Sequence, residues 1–156
     1  MTDIFPKKKR SQIMASVKSI ETKPEILIRK LLFSKGFRFR KNVKSLPGSP
    51  DIVLPKHKTI IFVHGCFWHG HKNCKAADKP KSNIKYWINK IDGNTKRDAK
   101  RIRQLKKMGW NVIVIWECDI GNILETNSKR QLKILNLISI PTVSKPPLTK
   151  YIKYPV

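Results

Sequence analysis

The first strong periodicity along the chain lies in residues 22–36 and has the spacing of a helix. Thr22 and Glu25 suit the two positions of a capping box, and Gly36 suits the residue that follows a helix end. Apolar residues recur at the i, i+3, i+4 spacing of one helix face, namely Ile28, Leu31 and Leu32. The pattern predicts an amphipathic helix that begins at residue 22 and packs one face on a core.

Three later segments have the composition of strands. Residues 51–54 and 59–64 are rich in β-branched residues and are separated by a short loop, which predicts a hairpin. Residues 110–118 form an apolar run that ends at Cys118 and predicts a buried strand. Residues 37–43 alternate between apolar and polar positions, as a strand or an extended segment does.

The rest of the chain predicts helices joined by a polar loop. Residues 82–91 and 96–108 each have a helical composition, and a last helix is expected at 126–138. Residues 65–82 are irregular and polar. The alternation of helices and strands predicts a mixed α/β domain over residues 21–140.

The charge of the chain adds a polyanionic partner to this picture. Lysine and arginine number 34 against 10 aspartate and glutamate residues, for a formal net charge of +24. Such an excess indicates nucleic acid, and a general lysine bias is the alternative. Residues 1–20 are expected to form a basic arm with a short helix, and residues 141–156 a Pro-rich basic tail. Without an apolar run of about 20 residues or a secretory signal, we expect a cytoplasmic protein with no membrane partner.

Cysteine and histidine crowd into one short segment. Cys66, His71 and Cys74 have the spacing C-x4-H-x2-C, and Cys118 stands at the end of a predicted strand. Together they make a Cys3His set, a common tetrahedral shell for a structural zinc ion. The alternative is three unrelated thiols, since cysteine is often buried as a small apolar residue. We expect zinc because one ion uses all three cysteines and ties an irregular loop to the sheet.

Asp51, His64 and His69 form a second candidate group. Centring the hairpin loop between residues 56 and 57 places Asp51 opposite Phe62 and, by strand alternation, on the same face as His64. A carboxylate there suits Mg²⁺, and His64 or His69 suits a general base near neutral pH. Alternatively, Asp51 caps the start of its strand and His64 is an ordinary histidine at a strand end.

Six stretches of the chain resemble the very-short-patch repair (Vsr) endonuclease family, and they span about residues 8–120. The most specific is H-G-C-F-W-H at residues 64–69. The six stretches are S-Q-I-M-A-S-V-K-S-I-E-T-K-P-E, F-R-F-R, L-P-G-S-P-D, F-V-H-G-C-F-W-H-G-H, Y-W-I-N-K-I-x-x-N-x-x-R-D and L-K-K-M-G-W-N-V-I-V-I-W-E-C.

The resemblance implies a restriction-endonuclease-like core, in which helices flank a mixed central sheet, with an inserted structural zinc site. It implies a Mg²⁺-dependent phosphodiester hydrolase that nicks one DNA strand on the 5′ side of the thymine in a T·G mismatch. Such mismatches arise when 5-methylcytosine deaminates, which implies a functional link to a cytosine-5 DNA methyltransferase. It also implies a monomer that acts on double-stranded DNA in the bacterial cytosol or nucleoid.

The family's catalytic residues fall on five positions of this chain: Asp51, His64, His69, Asp98 and Glu25. The resemblance implies that Asp51 binds Mg²⁺ together with the backbone carbonyl of Val63, a position where some members carry a hydroxyl residue. His69 would activate the attacking water, and Asp98 would orient His69. Glu25 would hold a metal-bound water or the other histidine, and a capping box is its alternative role.

The resemblance also implies an aromatic wedge, formed by Phe67, Trp68 and Trp87, that enters the base stack beside the mismatch from the major groove. Core packing is the alternative for Trp87 and Val17. The resemblance implies that the short N-terminal helix contacts DNA, with Met14 and Val17 approaching from the other groove. It also implies that Lys90 and Asn94 contact the mismatch.

Two other functions are compatible with parts of the sequence. A zinc-stabilised DNA-binding module without catalysis would keep the charge, the zinc and the wedge, but would not need Asp51 or His69. A restriction-type nuclease would share Asp51 and the metal, but would cut without a mismatch. Comparing cleavage of matched and T·G duplexes separates both from the mismatch nickase.

Overall fold

The computed structural model describes residues 20–78 and 83–139, and residues 6, 9 and 12 individually. From residue 20 onward, helices and strands alternate as the sequence predicts. The strands are β1 (Arg40–Lys41), β2 (Ile52–Leu54), β3 (Thr59–His64) and β4 (Asn111–Trp116). The helices are α1 (Lys23–Ser34), α2 (Ile84–Lys107), α3 (Ile120–Leu124) and α4 (Lys129–Ser139). Short 3₁₀ turns occupy Pro55–His57, Lys75–Ala77 and Glu117–Asp119.

The four strands form one mixed sheet in the order β1-β2-β3-β4. The pairs β1–β2 and β2–β3 are antiparallel, and β3–β4 is parallel. In the hairpin, Ile52 lies opposite Ile61 and Leu54 opposite Thr59, which confirms the predicted loop centre. The helix α2 connects the two parallel strands, because strands that run in the same direction need a long crossover.

Helices cover both faces of the sheet, so its central strand is buried on each side. Ile28 of α1 and Ile123 of α3 pack with Ile61 in one core. Leu105 of α2 packs with Phe62 in the other core. This three-layer arrangement explains why β3 is an almost uninterrupted run of β-branched and aromatic residues.

The alternation of side chains along β2 and β3 decides which face carries the candidate groups. Val53 and Phe62 belong to the core on the α2 side. Asp51 and His64 each lie two residues away from one of them, and therefore point to the same side. This agrees with the prediction that Asp51 and His64 share a face, and it puts that face against α2.

The two helices predicted at 82–91 and 96–108 are one continuous helix, Ile84–Lys107. Gly93 lies between the two predicted segments, and a helix-interior glycine costs about 1 kcal/mol. Ile91 and Leu105 are both buried, 5% and 0% exposed, and fourteen residues place them on nearly the same side of a helix. Burial of this stripe outweighs the cost of one glycine.

Other boundaries also differ from the predictions. The strand expected over 110–118 ends at Trp116, so Cys118 lies in the following 3₁₀ turn. The helix expected over 126–138 is present as α4, which begins at Lys129, and the short helix α3 precedes it without having been predicted. Of residues 37–43, only Arg40 and Lys41 form a strand, paired with Val53 and Ile52 of β2.

Several expectations concern parts of the chain outside the described residues. Met14 and Val17 lie there, as do the tail at 141–156 and most of the arm at 1–20. Across the residues that are described, no helix is both long and apolar enough to cross a membrane.

Candidate active site and metal centre

The candidate catalytic groups line one open pocket of about 620 Å³, where β3 ends and the loop after it begins. The turn before β2, the strand β3, the helices α1 and α2 and that loop all contribute to its wall. The ionisable residues that line it are Glu25, Asp51, His64, His69, Asp98, Arg101 and Glu117. All five predicted catalytic residues are therefore in one pocket, although they are spread over 74 positions of sequence (Glu25 to Asp98).

Asp51 joins the start of β2 to the end of β3. The backbone N–H of Val63 donates a hydrogen bond to Asp51 Oδ2 at 2.8 Å, so the side chain does tie down a strand end, as its alternative role predicts. Burial raises the pKa of this carboxyl to about 6; the Val63 N–H opposes the rise and the Glu25 carboxylate adds to it. A partly buried carboxylate beside a second carboxylate is a site that favours a cation.

His64 and His69 lie face to face. Their ring centroids are 3.9 Å apart and the ring planes differ by 8°. Burial and, after it, the neighbouring His69 lower the pKa of His64 to about 4. His64 is therefore neutral near pH 7, and the pair carries at most one positive charge.

Asp98 holds His69 in a single orientation. His69 Nδ1 donates to Asp98 Oδ2 at 2.6 Å. Burial acts to raise the pKa of Asp98, but the hydrogen bond and charge of His69 bring it below its usual value. The shared proton therefore belongs to Nδ1, and His69 Nε2 keeps a lone pair that can accept a proton.

One face of α2 positions the loop that carries His69. A Cβ added to Gly70, whose φ is +62°, would lie 2.8 Å from Ile91 Cγ2, so the loop backbone rests directly on the helix. Asn94 Nδ2 donates to the main-chain carbonyl of Trp68 at 2.9 Å. With Asp98, these contacts come at positions i, i+3 and i+7 of α2, which lie on one side of a helix.

The structure thus gives Asn94, expected at the mismatch, a role inside the protein. Its amide oxygen also accepts a hydrogen bond from Arg97. Lys90, the other residue expected at the mismatch, is exposed on the preceding turn.

The four predicted metal ligands converge into a metal cluster formed by Cys66, His71, Cys74 and Cys118. Their ligand atoms all lie within 4.8 Å of one another. His71 Nδ1 is 3.5 Å from Cys66 Sγ and 3.4 Å from Cys118 Sγ. Tetrahedral bonds of about 2.3 Å to sulfur and 2.0 Å to nitrogen give a sulfur–nitrogen separation of about 3.5 Å. The cluster can therefore hold a metal ion such as zinc, which unrelated free thiols would not be arranged to do.

Trp116, which the sequence analysis did not single out, separates the metal cluster from the histidine pair. Its ring stacks on His71 at 4.1 Å with an interplanar angle of 4°. Its edge also contacts His64, at 5.4 Å between centroids. One aromatic side chain of β4 therefore fixes a histidine in each group.

The proposed wedge residues pack on one another. Phe67 contacts Trp68 and Trp87 edge to face, at 5.1 and 5.2 Å between ring centroids. None of the three belongs to the two cores of the sheet, and all are partly exposed. Tyr86, 59% exposed, extends the group through a contact with Trp87 at 5.2 Å. Core packing is therefore not the role of Trp87.

Arg29 is a buried residue of the site that the sequence analysis missed. Its Nη2 donates to Glu25 Oε2 at 2.8 Å and to the main-chain oxygen of Asp51 at 3.3 Å. A third acceptor is Asn42 Oδ1 at 3.4 Å. The available signal was the spacing, because Arg29 follows Glu25 by four residues and lies beside the apolar face of the predicted helix.

The contacts of Glu25 differ from those of a capping box. Thr22 Oγ1 donates to Glu25 Oε1 at 2.8 Å instead of accepting a helix N–H. The backbone N–H that reaches Glu25 comes from Glu21, at 3.0 Å, and not from Thr22. The capping-box interpretation is therefore wrong in form, and Arg29 is the main partner of the Glu25 carboxylate.

Comparison with known proteins agrees with this geometry. Residues 2–76 match the family model described as DNA mismatch endonuclease Vsr. A type II nicking enzyme of Neisseria meningitidis, V.NmeAIP, is 54% identical over 78% of this chain and 86% of its own length. V.XorIIP of Xanthomonas oryzae is 45% identical over 79% of this chain and 90% of its own length. The DNA mismatch endonuclease Vsr of Escherichia coli is 38% identical over 76% of this chain and 75% of its own length.

Proposed function

This chain belongs to the Vsr family of DNA mismatch endonucleases, and on that premise we propose that it nicks DNA 5′ of the thymine in T·G mismatches. Such mismatches follow deamination of 5-methylcytosine, so the proposed partners are mismatched duplex DNA and, functionally, a cytosine-5 methyltransferase. The proposed enzyme acts as a monomer in the bacterial cytosol. The observation that carries the proposal is the His69–Asp98 hydrogen bond at 2.6 Å, in the same pocket as Asp51.

His69 is the proposed general base. Asp98 accepts a hydrogen bond from His69 Nδ1. The other ring nitrogen, Nε2, would take a proton from the water that attacks phosphorus. The stacked His64 stays neutral at pH 7, so it does not add a second positive charge that would oppose protonation of His69. Asp98 then stabilises the imidazolium that results, because its carboxylate remains ionised.

Asp51 and the main-chain carbonyl of Val63 are the proposed ligands of Mg²⁺. The N–H of Val63 points to Asp51, and the N–H and C=O of one strand residue point to the same side, so this carbonyl faces Asp51 too. Hard oxygen donors of this kind suit Mg²⁺, and no hydroxyl at position 63 is needed. When bound, Mg²⁺ polarises the phosphate and offsets the charge of the leaving oxygen.

Glu25 supports this centre from α1. It is 3% exposed and its carboxylate raises the pKa of Asp51, while the Arg29 guanidinium lowers it. Glu25 therefore adds negative charge behind the metal position, and Arg29 limits the resulting repulsion between the two carboxylates.

The fold, the metal cluster and the aromatic cluster support the remaining parts of the proposal. The mixed sheet with helices on both faces, and catalytic groups at the β2–β3 end, supports a restriction-endonuclease-like core. The zinc in the metal cluster would be structural, since four protein ligands leave no open position. The partly exposed aromatic cluster of Phe67, Trp68 and Trp87 supports the role of a wedge at the mismatch.

A nicking assay tests the proposed function directly. Zinc-loaded protein with Mg²⁺ is expected to cut one strand of a T·G duplex and to leave the matched duplex intact. Asp51→Ala should abolish cutting. Binding without any cutting across a panel of flanking sequences would favour the DNA-binding module, and equal cutting of matched DNA would favour the restriction-type nuclease.

A further inference from the structure

We propose that Arg101 binds a backbone phosphate of the DNA strand that enters the active-site pocket, and that the turn around Gly48 holds it there. This inference rests on the proposed action on DNA, but assigns a substrate contact that neither the sequence motifs nor the relatives' names provide.

Apart from the proposed Mg²⁺ and the buried Arg29 behind Glu25, the described pocket lining offers one permanently charged cation. Among the described residues that line it, four are carboxylates, Glu25, Asp51, Asp98 and Glu117, and Arg101 is the single lysine or arginine. A phosphodiester approaching four carboxylates is repelled. Of the lysines and arginines that the structure describes, Arg101 is therefore the one that lines the pocket and can offset this local repulsion.

The stem of Arg101 is fixed by the turn that precedes Asp51. A Cβ added to Gly48 would lie 2.9 Å from Arg101 Cδ and 3.4 Å from Phe62 Cζ. Gly48 has a φ of +84°, so glycine serves both the backbone conformation and the close approach of the arginine stem. The methylenes of Arg101 therefore pack against this turn, which restricts where the guanidinium can go.

The guanidinium itself is left available. Its shortest contact with Asp98, from Nη1 to Oδ1, is 3.8 Å, which is an ion pair but too long for a hydrogen bond. The other oxygen of Asp98, Oδ2, accepts the hydrogen bond of His69. The side chain of Arg101 is 45% exposed. A guanidinium presents five donors in a planar fork that matches phosphate oxygens. A phosphate bound there lies beside the proposed general base.

Helix geometry aligns Arg101 with the wedge. Trp87, Asn94 and Arg101 are spaced by seven residues, close to two turns, so they follow one stripe along α2. Asn94 holds the main chain of Trp68 on this stripe. A duplex opened by the aromatic residues at one end of the stripe passes over Arg101 at the other.

A salt titration with matched variants tests this contact. Arg101→Met and Arg103→Met each remove one arginine from α2, but Arg103 lies about 160° around the helix, on the exposed opposite face. Both are placed in the Asp51→Ala background, and binding to a T·G duplex is measured at several salt concentrations. Arg101→Met should weaken binding about tenfold and reduce the slope of log K against log salt by about 0.9. Arg103→Met should change affinity less than about twofold.

Arg101→Lys should recover part of the affinity and the full slope, because it restores the charge without the fork. Equal affinities and slopes for the Arg101→Met and Arg103→Met proteins would overturn the inference. So would an unchanged slope with a lower kcat in the nicking-competent protein, which would make Arg101 a positioning residue for Asp98. If the parent protein nicks no T·G duplex and Arg101→Met still lowers the slope, the proposed function fails and the phosphate contact stands.

Discussion

The metal cluster and the catalytic histidine pair alternate along the same loop, yet they are held in different ways. Cys66 and His71 belong to a group whose four ligand atoms lie within 4.8 Å of one another, close enough to share one ion. His64 and His69 are instead held by stacking on each other and by the hydrogen bond from His69 to Asp98 on α2. Trp116 of β4 touches both groups, stacking on His71 and meeting His64 with its edge.

This difference separates two kinds of rigidity. A closed ligand set gains its order from the ion, so loss of the ion releases the loop. The catalytic groups gain theirs from helices and strands that stay folded when one side chain is changed. Damage to the metal cluster should therefore disturb both structure and chemistry, whereas damage to the catalytic pair should disturb chemistry alone.

The largest expected effect comes from breaking the metal cluster. Cys118→Ser, or removal of the ion with a chelator, should release bound zinc, lower the melting temperature by many degrees and abolish nicking, since structural zinc contributes about 10 kcal/mol or more in small zinc peptides. Zinc content, thermal melting and nicking are measured on the same samples. Omitting Mg²⁺ is the control, because it should stop nicking without changing zinc content or melting. A zinc-free protein that melts and nicks normally would contradict the structural role.

The second effect should be chemical only. His69→Ala is expected to lower the single-turnover nicking rate about 10²- to 10⁴-fold, with zinc content and melting temperature little changed. His57→Ala is a matched control, since His57 lies at the other end of β3 and packs against Phe37. Equal rates for the two variants would remove His69 from the mechanism.

The third effect tests the support behind Asp51. Arg29→Met leaves the buried Glu25 carboxylate without its ion-pair partner, so we expect unfolding free energy to fall by about 3 kcal/mol. Adding Glu25→Leu to the same protein should restore most of it, because the uncompensated charge is then gone. Denaturant unfolding measures both. A single variant as stable as the parent would mean that the network around Arg29 is not energetically important.

The sequence predicts much of the metal cluster and the hairpin because both follow from local rules. The spacing of Cys66, His71 and Cys74 is a ligand pattern. The position of the short loop gives the register in which Ile52 pairs with Ile61, and one further step of that register puts Asp51 opposite Phe62. Cys118 was harder to place, since its position relative to the loop depends on the parallel pairing of β3 with β4.

The contacts that complete the catalytic site could not be predicted in this way. Arg29 reaches Asp51 across 22 positions of sequence, and Asn94 reaches Trp68 across 26. Such contacts depend on how α1 and α2 lie on the sheet, which no local pattern specifies. The sequence also did not predict that α2 continues through Gly93. That continuity depends on the burial of Ile91 and Leu105, which again follows from how α2 lies on the sheet.

The smallest expected effect is on the free energy of unfolding, which the buried Asp51 carboxylate lowers when it is ionised. The pKa of Asp51 is about 6 in the folded protein, against 3.8 for an ordinary aspartate. Between these values the folded state holds a proton that the unfolded state has released, so stability falls as pH rises through this window. Asp51→Asn keeps an oxygen for the Val63 N–H but has no charge to bury. We therefore expect it to abolish nicking yet to stabilise the Mg²⁺-free protein by about 1–2 kcal/mol at pH 7.

At pH 4 the same substitution should have little effect on stability, because Asp51 is then mostly protonated in the folded protein. Denaturant unfolding of the parent and Asp51→Asn proteins without Mg²⁺ measures the difference across this range, with zinc content determined at each pH and equal in the two proteins. Added Mg²⁺ should narrow the gap at pH 7 by stabilising the parent alone, since a cation favours the ionised carboxylate. A gap that is the same at pH 4 and pH 7 would show that Asp51 is not strained by burial. The folded protein would then hold the catalytic carboxylate in place without any cost in stability.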